Sequence, residues 1–491
     1  MKVLVGNQIK EADQYTIENE PVQSIDLMER ASKAVAQWFL EHVEKESPLL
    51  FLVGKGNNGG DGLAVARMLY HAGYRCAVCI PFDETVLSEE NLINLKRLPE
   101  GVSRIEINQI DMLPCETIVI DALLGTGIRG GVKEPLASLI RRVNEAEFFV
   151  ISIDLPSGMK TEFGNKDQVI IKAKQTLTLE FPKLAMLLPE AGEYCSDIYT
   201  LPIGLDKHYF ESAQTPYFFT TEDYVKSQLK KREKFGYKTC YGHALLICGS
   251  LGMAGAAVLA TGGALRSGCG LLTIHLPKAE RMAVQVNFPA AMLSLDNKDH
   301  FSELPQNLEK YNVIGIGCGL VQAEVTKSAL EKLLKSINKP LVIDADALNI
   351  LAERKDLQKH IPKDSILTPH LGELRRLIGN WNDEEEKMLL VRQFASETQS
   401  IVLVKGAYSM IVLSDGRVYF NSTGNSGMAK GGSGDVLAGF ITGLLARGYS
   451  SEQAAILGAY FHGLAGDKAA QKYGQEGMNS FNLIEFLKPE N

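Results

Sequence analysis

A glycine-rich stretch late in the chain limits the possible folds more than any other segment. Residues 421–439 read N-S-T-G-N-S-G-M-A-K-G-G-S-G-D-V-L-A-G, with five glycines ahead of Asp435. Apolar residues then recur at three- and four-residue spacing from Val436 to Leu444, which predicts a helix. Glycine lets backbone N–H groups turn toward a ligand, and a helix N-terminus adds unpaired N–H groups and a partial positive charge. The stretch therefore predicts an anion-binding cradle that opens a helix.

One carboxylate, that of Asp435, stands at the mouth of this predicted cradle. A carboxylate repels a phosphate, so it is useful there only if it takes a proton from the group that attacks the phosphate. A glycine-rich turn capped by an aspartate is the simpler alternative. The P-loop pattern G-x-x-x-x-G-K-[ST] does not occur, which excludes a Walker-type site.

The chain has 491 residues, too many for one hydrophobic core, and this length predicts two or three domains. Strand-like runs alternate with helical segments, at residues 49–53, 75–80, 117–123 and 148–154 and again at 244–248, 271–276, 313–316 and 401–404. This alternation predicts α/β domains, the first with a Rossmann-like doubly wound sheet. The pattern loosens after Gly204, so we place the domains at residues 1–215 and 216–491.

Composition excludes several classes of protein. A net charge of −8 argues against general nucleic-acid binding, which needs a basic surface. The start of the chain turns polar by Asn7, and the apolar run 254–265 is broken by glycines, so we expect neither a signal peptide nor a membrane span. Of eight cysteines, Cys76 and Cys79 form a C-x-x-C inside a predicted strand, with no second pair for zinc. We therefore expect reduced thiols in a cytoplasmic enzyme.

Polar loops follow three strands of the first half. Gly54, Gly56 and Gly59 match G-x-G-x-x-G, which alone would indicate a redox dinucleotide fold, but the N-N-G-G-D insert is too polar for a plain phosphate turn. The other two loops contain Asp121 with G-T-G-I-R-G-G, and Asp154 with P-S-G. Carboxyl ends of parallel strands share one crevice, so these loops predict one binding site. A helix-capping role for Asp61 is the alternative.

These motifs resemble two known families. G-G-S-G-D opening a late helix resembles the phosphate-binding turn of ribokinase-like kinases, and the whole stretch 421–439 resembles the nucleotide-dependent dehydratases that repair hydrated NADH and NADPH. N-N-G-G-D-G, D-A-L-x-G-T-G-x-x-G and S-I-D-L-P-S-G resemble the NAD(P)H-hydrate epimerases, to which such dehydratases are commonly fused in bacteria. The resemblance implies a bifunctional repair enzyme whose second domain is a ribokinase-like α/β domain.

In the first domain, the resemblance implies a potassium ion held by Asn58, Asp121 and Ser157, and we predict that Asp154 is the acid–base residue. Carboxylate, amide and hydroxyl oxygens suit such a hard cation. The residues implied to contact the hydrated cofactor are Asn57, Asn58, Gly59, Gly60, Asp61, Gly125, Thr126, Gly127, Ile128, Arg129, Gly130, Gly131 and Asp154.

In the second domain, the loops 253–257, 315–320, 344–349 and 368–373 could line the mouth of the site. The resemblance implies that the hydrated cofactor contacts Ala256, Gly319, His370 and the general base Asp435. The residues implied to hold ADP or ATP are Lys405, Gly406, Ala407, Tyr408, Ser409, Asn425, Gly431, Gly432, Ser433 and Gly434. Cys318 and Leu371 stand where the family usually has proline. Magnesium with the nucleotide and a homo-oligomer are further expectations.

Two other readings compete with repair. The cradle alone would also suit a ribokinase-like kinase that phosphorylates a vitamin or a sugar alcohol, which would leave a stable phosphomonoester rather than free phosphate. A nucleotide-sensing or scaffold protein is the third reading, and the presence of both Asp154 and Asp435 argues against it. We therefore predict the bifunctional repair enzyme.

Overall fold

The computed structural model describes residues 1–128 and 130–489, so Arg129 lies outside the described residues. The chain divides into two compact units. One is Lys2–Thr215, and the other contains Met1 and the described residues from Pro216 onward. Within the described ranges, the helices are all too short or too polar to cross a membrane. All eight cysteines are free, and Cys76 and Cys79 are buried in a strand as predicted.

The N-terminal unit is a parallel sheet flanked by helices. Its strands are β1 (Pro48–Val53), β2 (Arg75–Cys79), β3 (Ser103–Arg104), β4 (Ile118–Ala122), β5 (Phe149–Ile153), β6 (Ala173–Leu179) and β7 (Cys195–Leu201). Its helices are α1 (Gln8–Asn19), α2 (Ser24–His42), α3 (Asn57–His71), α4 (Glu89–Lys96), α5 (Leu136–Glu145) and α6 (Lys207–Ser212). In the described residues the strand order is β3-β2-β1-β4-β5-β6-β7, with every pair parallel. The order reverses between β1 and β4, which confirms the predicted doubly wound sheet.

Strand β1 shows why this sheet is buried on both faces. Its sequence P-L-L-F-L-V is apolar throughout, as expected of a parallel strand covered on both sides. Side chains alternate in direction along a strand, so Phe51 packs with α2 and α3 while Leu50 and Leu52 pack with α5. The polar residues are thereby left to the loops at the carboxyl ends of the strands.

The C-terminal unit is built on a larger sheet. Its strands are β8 (Tyr217–Phe219), β9 (His243–Ile247), β10 (Leu271–Pro277), β11 (Met292–Asp296), β12 (Val313–Ile316), β13 (Leu341–Ile343), β14 (Ile366–Leu367), β15 (Ile401–Val404), β16 (Met410–Val412) and β17 (Val418–Phe420). Its helices are α7 (Glu222–Gln228), α8 (Ala254–Arg266), α9 (Arg281–Asn287), α10 (Glu324–Ser336), α11 (Ala345–Glu353), α12 (Leu371–Ile378), α13 (Glu384–Glu397), α14 (Ser433–Ala446), α15 (Ser451–Tyr473) and α16 (Ser480–Phe486). The described strands follow the order β11-β10-β9-β12-β13-β14-β15-β16-β17-β8.

Strands β9 to β15 are parallel, and β16 and β17 form the predicted antiparallel hairpin with Gly416 at its turn, at φ 89°. Helix α14 lies directly against α8. A Cβ on Gly439 would come within 1.9 Å of the Ala260 carbonyl oxygen, and one on Gly263 within 2.1 Å of the Val436 oxygen. These glycines let the two backbones touch, which fixes the start of α14 beside the carboxyl ends of the strands.

Some local predictions need correction. The N-N-G-G-D motif was expected in a loop, but α3 begins at Asn57, so the motif forms the first helical turns. The N-cap of α3 is Gly56, and Asp61 lies inside the helix, so the helix-capping alternative for Asp61 is wrong. Strands β6, β7 and β11 had not been predicted from the sequence.

Candidate functional site

In the C-terminal unit, four functional side chains meet at the carboxyl ends of the parallel strands. Cys318 follows β12, Asp344 follows β13, Lys405 follows β15, and Asp435 lies in the first turn of α14. The sulfur of Cys318 and carboxylate oxygens of Asp344 and Asp435 all lie within 4.8 Å of one another. Lys405 Nζ donates a hydrogen bond to Asp344 Oδ1 at 2.9 Å. The fold therefore assembles one charged cluster from residues far apart in sequence.

Asp435 is electrostatically suited to accept a proton at neutral pH. Burial raises the pKa of its carboxyl to about 7, and the negative charge of Asp344 acts in the same direction. A hydrogen bond from the Cys318 thiol and the charge of Lys405 oppose this rise in pKa. A general base works best when its pKa lies near the working pH.

The predicted anion cradle lies beside this cluster. Gly432 is the N-cap of α14 at φ 91°, a conformation that favours glycine. A Cβ built on Gly431 meets none of the described atoms within 4 Å, and one on Gly434 would lie 3.3 Å from Lys405 Nζ. The backbone at the start of α14 thus faces free space next to a lysine ammonium, as an anion site requires.

The lysine inside the glycine-rich motif has another role. Lys430 Nζ donates to the carbonyl oxygens of Gln475, Glu476 and Met478, at 3.0, 2.7 and 2.7 Å. His462 Nε2 lies 2.9 Å from the Ser433 carbonyl oxygen, where it donates, and burial lowers the pKa of this imidazole to about 4. Both side chains are thus bound to backbone carbonyls around the cradle, and Lys405 is the cation placed to bind a phosphate.

Asn425, predicted to contact the nucleotide, makes internal contacts. Its Nδ2 donates to Asp467 Oδ1 at 2.9 Å, and its Oδ1 accepts from the Gly427 N–H at 3.0 Å. Asp467 also accepts from the Gly424 N–H at 3.0 Å. The side chain of Asn425 shapes the loop that precedes the cradle.

His370 is the N-cap of α12. Its Nδ1 accepts hydrogen bonds from the backbone N–H groups of Gly372 and Glu373, at 3.0 and 3.4 Å. The hydrogen of the neutral ring is therefore on Nε2, which lies 3.5 Å from Glu373 Oε1. Glu373 Oε2 is in turn 3.8 Å from Lys405 Nζ, so His370 is connected to the charged cluster.

The other predicted contacts are arranged around this cluster. A Cβ on Gly319 would lie 2.9 Å from the Cβ of Ala256, so these two residues are adjacent. After Lys405, a tight turn forms in which the Gly406 N–H donates to Ser409 Oγ at 3.3 Å. Gly406 and Ala407 are exposed, and Tyr408 is half-buried.

In the N-terminal unit, two of the three predicted cation ligands, Asn58 and Ser157, bond to the backbone of Leu124, and the third, Asp121, bonds to Ser157. Asn58 Nδ2 donates to the Leu124 carbonyl oxygen at 3.1 Å, and the Leu124 N–H donates to Ser157 Oγ at 2.8 Å. The Asp121 carboxylate is fully buried and accepts from Ser152 Oγ and from the Ser157 N–H, each at 2.8 Å. Burial raises the pKa of Asp121, and these hydrogen bonds oppose the rise. The amide, carboxylate and hydroxyl oxygens of these residues are ligands that suit a hard cation.

Asp154 forms an ion pair with Lys183, a residue that sequence reasoning missed. The Lys183 side chain is 2% exposed, and its Nζ also donates to Thr178 Oγ1 at 3.0 Å and to the Leu179 oxygen at 3.1 Å. Asp154 has φ 65°, in the left-handed region, and such strain in a non-glycine residue often marks a functional site. The available sequence signal was a single lysine inside the apolar run 181–188.

Two further carboxyl groups interact electrostatically with Asp154. Burial and the negative charge of Asp154 raise the pKa of Asp13, on α1, to about 6, and Lys183 opposes this. The pKa of Asp61 is also raised, chiefly by burial and then by Asp154. Ser32 Oγ donates to Asp61 Oδ1 at 3.3 Å. Asp13 is a second residue that sequence reasoning missed.

The glycines of this site divide into two groups. A Cβ on Gly59 would lie 2.0 Å from the Gly54 carbonyl oxygen, and one on Gly60 would lie 2.8 Å from Met28 Sδ, so packing requires glycine at both positions. Around Gly127 and Gly130, by contrast, the described atoms leave at least 4 Å free at the Cβ position. The loop after β4 is therefore the part of the motif that is open to a ligand.

Two family models match this chain. Residues 24–185 match the family described as YjeF-related protein N-terminus, and residues 244–489 match the family described as NAD(P)H-hydrate dehydratase. The two matches cover the Asp154 site and the Asp435 site respectively.

Relatives match almost the whole chain. The bifunctional NAD(P)H-hydrate repair enzyme Nnr of Moorella thermoacetica is 34% identical, covering 99% of this chain and 96% of that protein. The enzyme of the same name from Coxiella burnetii is 32% identical, covering 99% of each. A ribokinase-like superfamily protein from Enterococcus faecalis has a solved structure that covers 56% of this chain and 95% of its own, at 24% identity and a TM-score of 0.51. This last likeness confirms the ribokinase-like fold.

Proposed function

Because this chain belongs to the family of bifunctional NAD(P)H-hydrate repair enzymes, we propose that it repairs hydrated NADH and NADPH at two sites. The N-terminal site interconverts the R and S hydrates. The C-terminal site dehydrates the S form to NAD(P)H and consumes ADP or ATP. The observation that carries this proposal is the cluster of Asp435, Asp344 and Lys405 beside the open start of α14.

Dehydration needs a better leaving group than hydroxide. Asp435 takes the proton of the C6 hydroxyl, whose oxygen attacks the terminal phosphoryl group and displaces AMP from ADP, or ADP from ATP. The N–H groups at the start of α14 and the Lys405 ammonium stabilise the charge on the phosphoryl oxygens. The lone pair of the ring nitrogen then expels phosphate from C6, and loss of a C5 proton restores the dihydropyridine.

Epimerisation needs the C6 hydroxyl to leave and a hydroxyl to return on the other face. Asp154 is our proposed acid–base residue, and its carboxylate is already paired with Lys183. Asp13 and Asp61, whose pKa values are raised, are placed to supply the proton that lets the hydroxyl leave as water.

Two cations complete the proposal. Asn58, Asp121 and Ser157 would hold potassium, which would supply fixed positive charge beside the cofactor phosphates. Magnesium would accompany the nucleotide, since this ion prefers phosphate oxygens and few protein ligands. A cytoplasmic location and a homo-oligomeric state stay predictions.

The fate of the phosphoryl group separates repair from the kinase alternative. The purified protein is given both epimers of hydrated NADH with ADP or ATP, magnesium and potassium. The absorbance of dihydronicotinamide is followed together with free phosphate. Repair predicts that absorbance returns only with nucleotide present and that one phosphate is released for each NADH formed. A persistent phosphomonoester, or hydrated cofactor left unchanged, would contradict the proposal.

A further inference from the structure

Asp344 occupies a helix N-cap but does not cap its helix. It precedes α11, and an aspartate at that position usually accepts a hydrogen bond from the second or third N–H of its own helix. Among the described residues, no such bond to the Asp344 side chain forms. The side chain is 2% exposed, so its orientation is fixed by the surroundings rather than by solvent.

The two oxygens of Asp344 have different neighbours. Oδ1 accepts the hydrogen bond from Lys405 Nζ at 2.9 Å. Oδ2 lies 3.9 Å from the Cys318 sulfur and 3.6 Å from the position that a Cβ would occupy on Gly434, at the start of α14. The same carboxylate thus contacts the cation of the cradle on one side and the surroundings of Asp435 on the other.

The backbone around Asp344 is tightly constrained. Ala345, the next residue, has φ 48°, in the left-handed region that non-glycine residues rarely adopt. Gly317 passes so close that a Cβ there would lie 1.7 Å from the Asp344 carbonyl oxygen. Strain of this kind persists only where the surrounding structure enforces it, and it concentrates at functional sites.

We propose that Asp344 is a positioning residue of the dehydratase site: one of its oxygens holds the Lys405 ammonium at the phosphate cradle, and the other fixes the electrostatic environment of the base Asp435. This inference rests on the function proposed above. In the proposed arrangement, Asp344 contacts neither the phosphoryl group of the nucleotide nor the C6 hydroxyl of the hydrated cofactor. It links nucleotide binding to proton removal because both depend on the same buried charge.

Removal of this charge should have two effects. In Asp344→Asn the ammonium of Lys405 loses its charged anchor, so the KM for the nucleotide should rise about tenfold. Asp435 loses a negative neighbour, so the acidic limb of the kcat–pH profile should move to lower pH by about one unit. The charged or titratable groups that act on Asp435 are Asp344, Asp346, Lys405, Cys318 and Cys248.

Lys405→Met provides a second test that does not depend on the folding of Asp344→Asn. In this variant Asp435 loses the positive charge of Lys405, which opposes the rise of its pKa, so the acidic limb should move to higher pH. The two substitutions should therefore shift the limb in opposite directions. In the double variant, the nucleotide KM should be close to that of Lys405→Met alone, because Asp344 then has no ammonium to hold.

The control is Glu353→Gln, which removes an equal charge from the exposed end of the same helix, where Glu353 pairs with Lys327. Glu353→Gln should change neither the KM for the nucleotide nor the acidic limb of the kcat–pH profile. If Asp344 were only structural, Asp344→Asn would lower the Tm, but its folded fraction would keep the wild-type nucleotide KM and kcat–pH profile. The proposal would be overturned if the acidic limb of that profile stayed in place in both Asp344→Asn and Lys405→Met. Inactivity of the wild-type chain would instead contradict the proposed function. Calorimetric affinities for ATP in the wild type and the same four variants would then still test the pairing of Asp344 with Lys405.

Discussion

The two candidate sites place their lysine differently. In the N-terminal unit, buried Lys183 pairs directly with Asp154, the proposed catalytic carboxylate. In the C-terminal unit, Lys405 pairs with Asp344, a neighbour of the proposed base, and its side chain is 22% exposed. Both lysines follow strands of a parallel sheet, at the edge where such sheets bind ligands. The same topology therefore supports two different charge arrangements.

The two sites also differ in which carboxyl group, relative to the lysine, has a raised pKa. In the N-terminal site, burial and then the negative charge of Asp154 raise the pKa values of its neighbours, Asp13 and Asp61. In the C-terminal site the ammonium is taken by Asp344, and the raised pKa belongs to Asp435 itself. Environments that push the pKa values of neighbouring groups apart identify donors and acceptors of protons.

The largest expected effect comes from neutralising each proposed catalytic carboxylate in turn. Asp435→Asn should lower the rate of dehydration by about 10²–10⁴-fold and leave the exchange of R and S hydrates intact. Asp154→Asn should do the reverse, slowing exchange while the S hydrate is still dehydrated. Both rates are measured on the same protein, by chromatography of the epimers and by absorbance. Loss of both activities in either variant would show that the two sites are not separable.

The second prediction compares the two lysines by stability. Lys183→Met leaves the Asp154 carboxylate, which is 14% exposed, without its counter-ion, which should lower the free energy of unfolding by about 3–5 kcal/mol. Lys405→Met leaves the Asp344 carboxylate, which is 2% exposed, without its counter-ion, so it should cost a similar amount. Denaturant unfolding, followed by hydrogen exchange of peptides from each unit, measures both effects.

The matched control is the double variant Asp154→Asn with Lys183→Met. It removes both charges and should recover much of the lost stability. A much smaller loss in Lys405→Met than in Lys183→Met would mean that water replaces the Lys405 ammonium beside Asp344.

The sequence predicted the central strands better than the edges of the sheets. Strand β1 and strand β9 are buried and apolar, so each is visible as a continuous run. Strand β7, C-S-D-I-Y-T-L, and strand β11, M-L-S-L-D, lie at sheet edges, and polar residues interrupt their apolar sequences. Whether such a segment forms a strand depends on its packing against neighbouring strands, which the periodicity of one sequence does not show.

The candidate site residues divide in a similar way. Asp435 stands in a glycine-rich motif and Asp154 in the motif S-I-D-L-P-S-G, where the local sequence indicates a ligand-binding turn. Lys183 and Asp13 have no motif, since their relation to Asp154 arises only when β6 and α1 pack in the unit. Lys430 shows the opposite case, because its motif indicates a phosphate ligand while its ammonium binds three backbone carbonyls. Whether a side chain faces a ligand or its own backbone depends on tertiary contacts.

The smallest expected effect concerns stability against pH, and it compares the two raised carboxyl groups. Asp435 has a pKa of about 7 in the folded chain against an ordinary value of 3.8, so the folded state binds the proton of Asp435 more tightly than the unfolded state does. Its contribution to stability is therefore fully present below pH 3.8 and is lost as the pH rises through 7. Asp435→Asn removes this penalty and should raise the Tm at pH 8 but not at pH 4. Asp13→Asn should act in the same direction by a smaller amount, because its pKa rises only to about 6. Calorimetric scans at pH 4, 6 and 8 measure the order, and a Tm gain that is equal at all three pH values would mean that packing, rather than the buried charge, causes it.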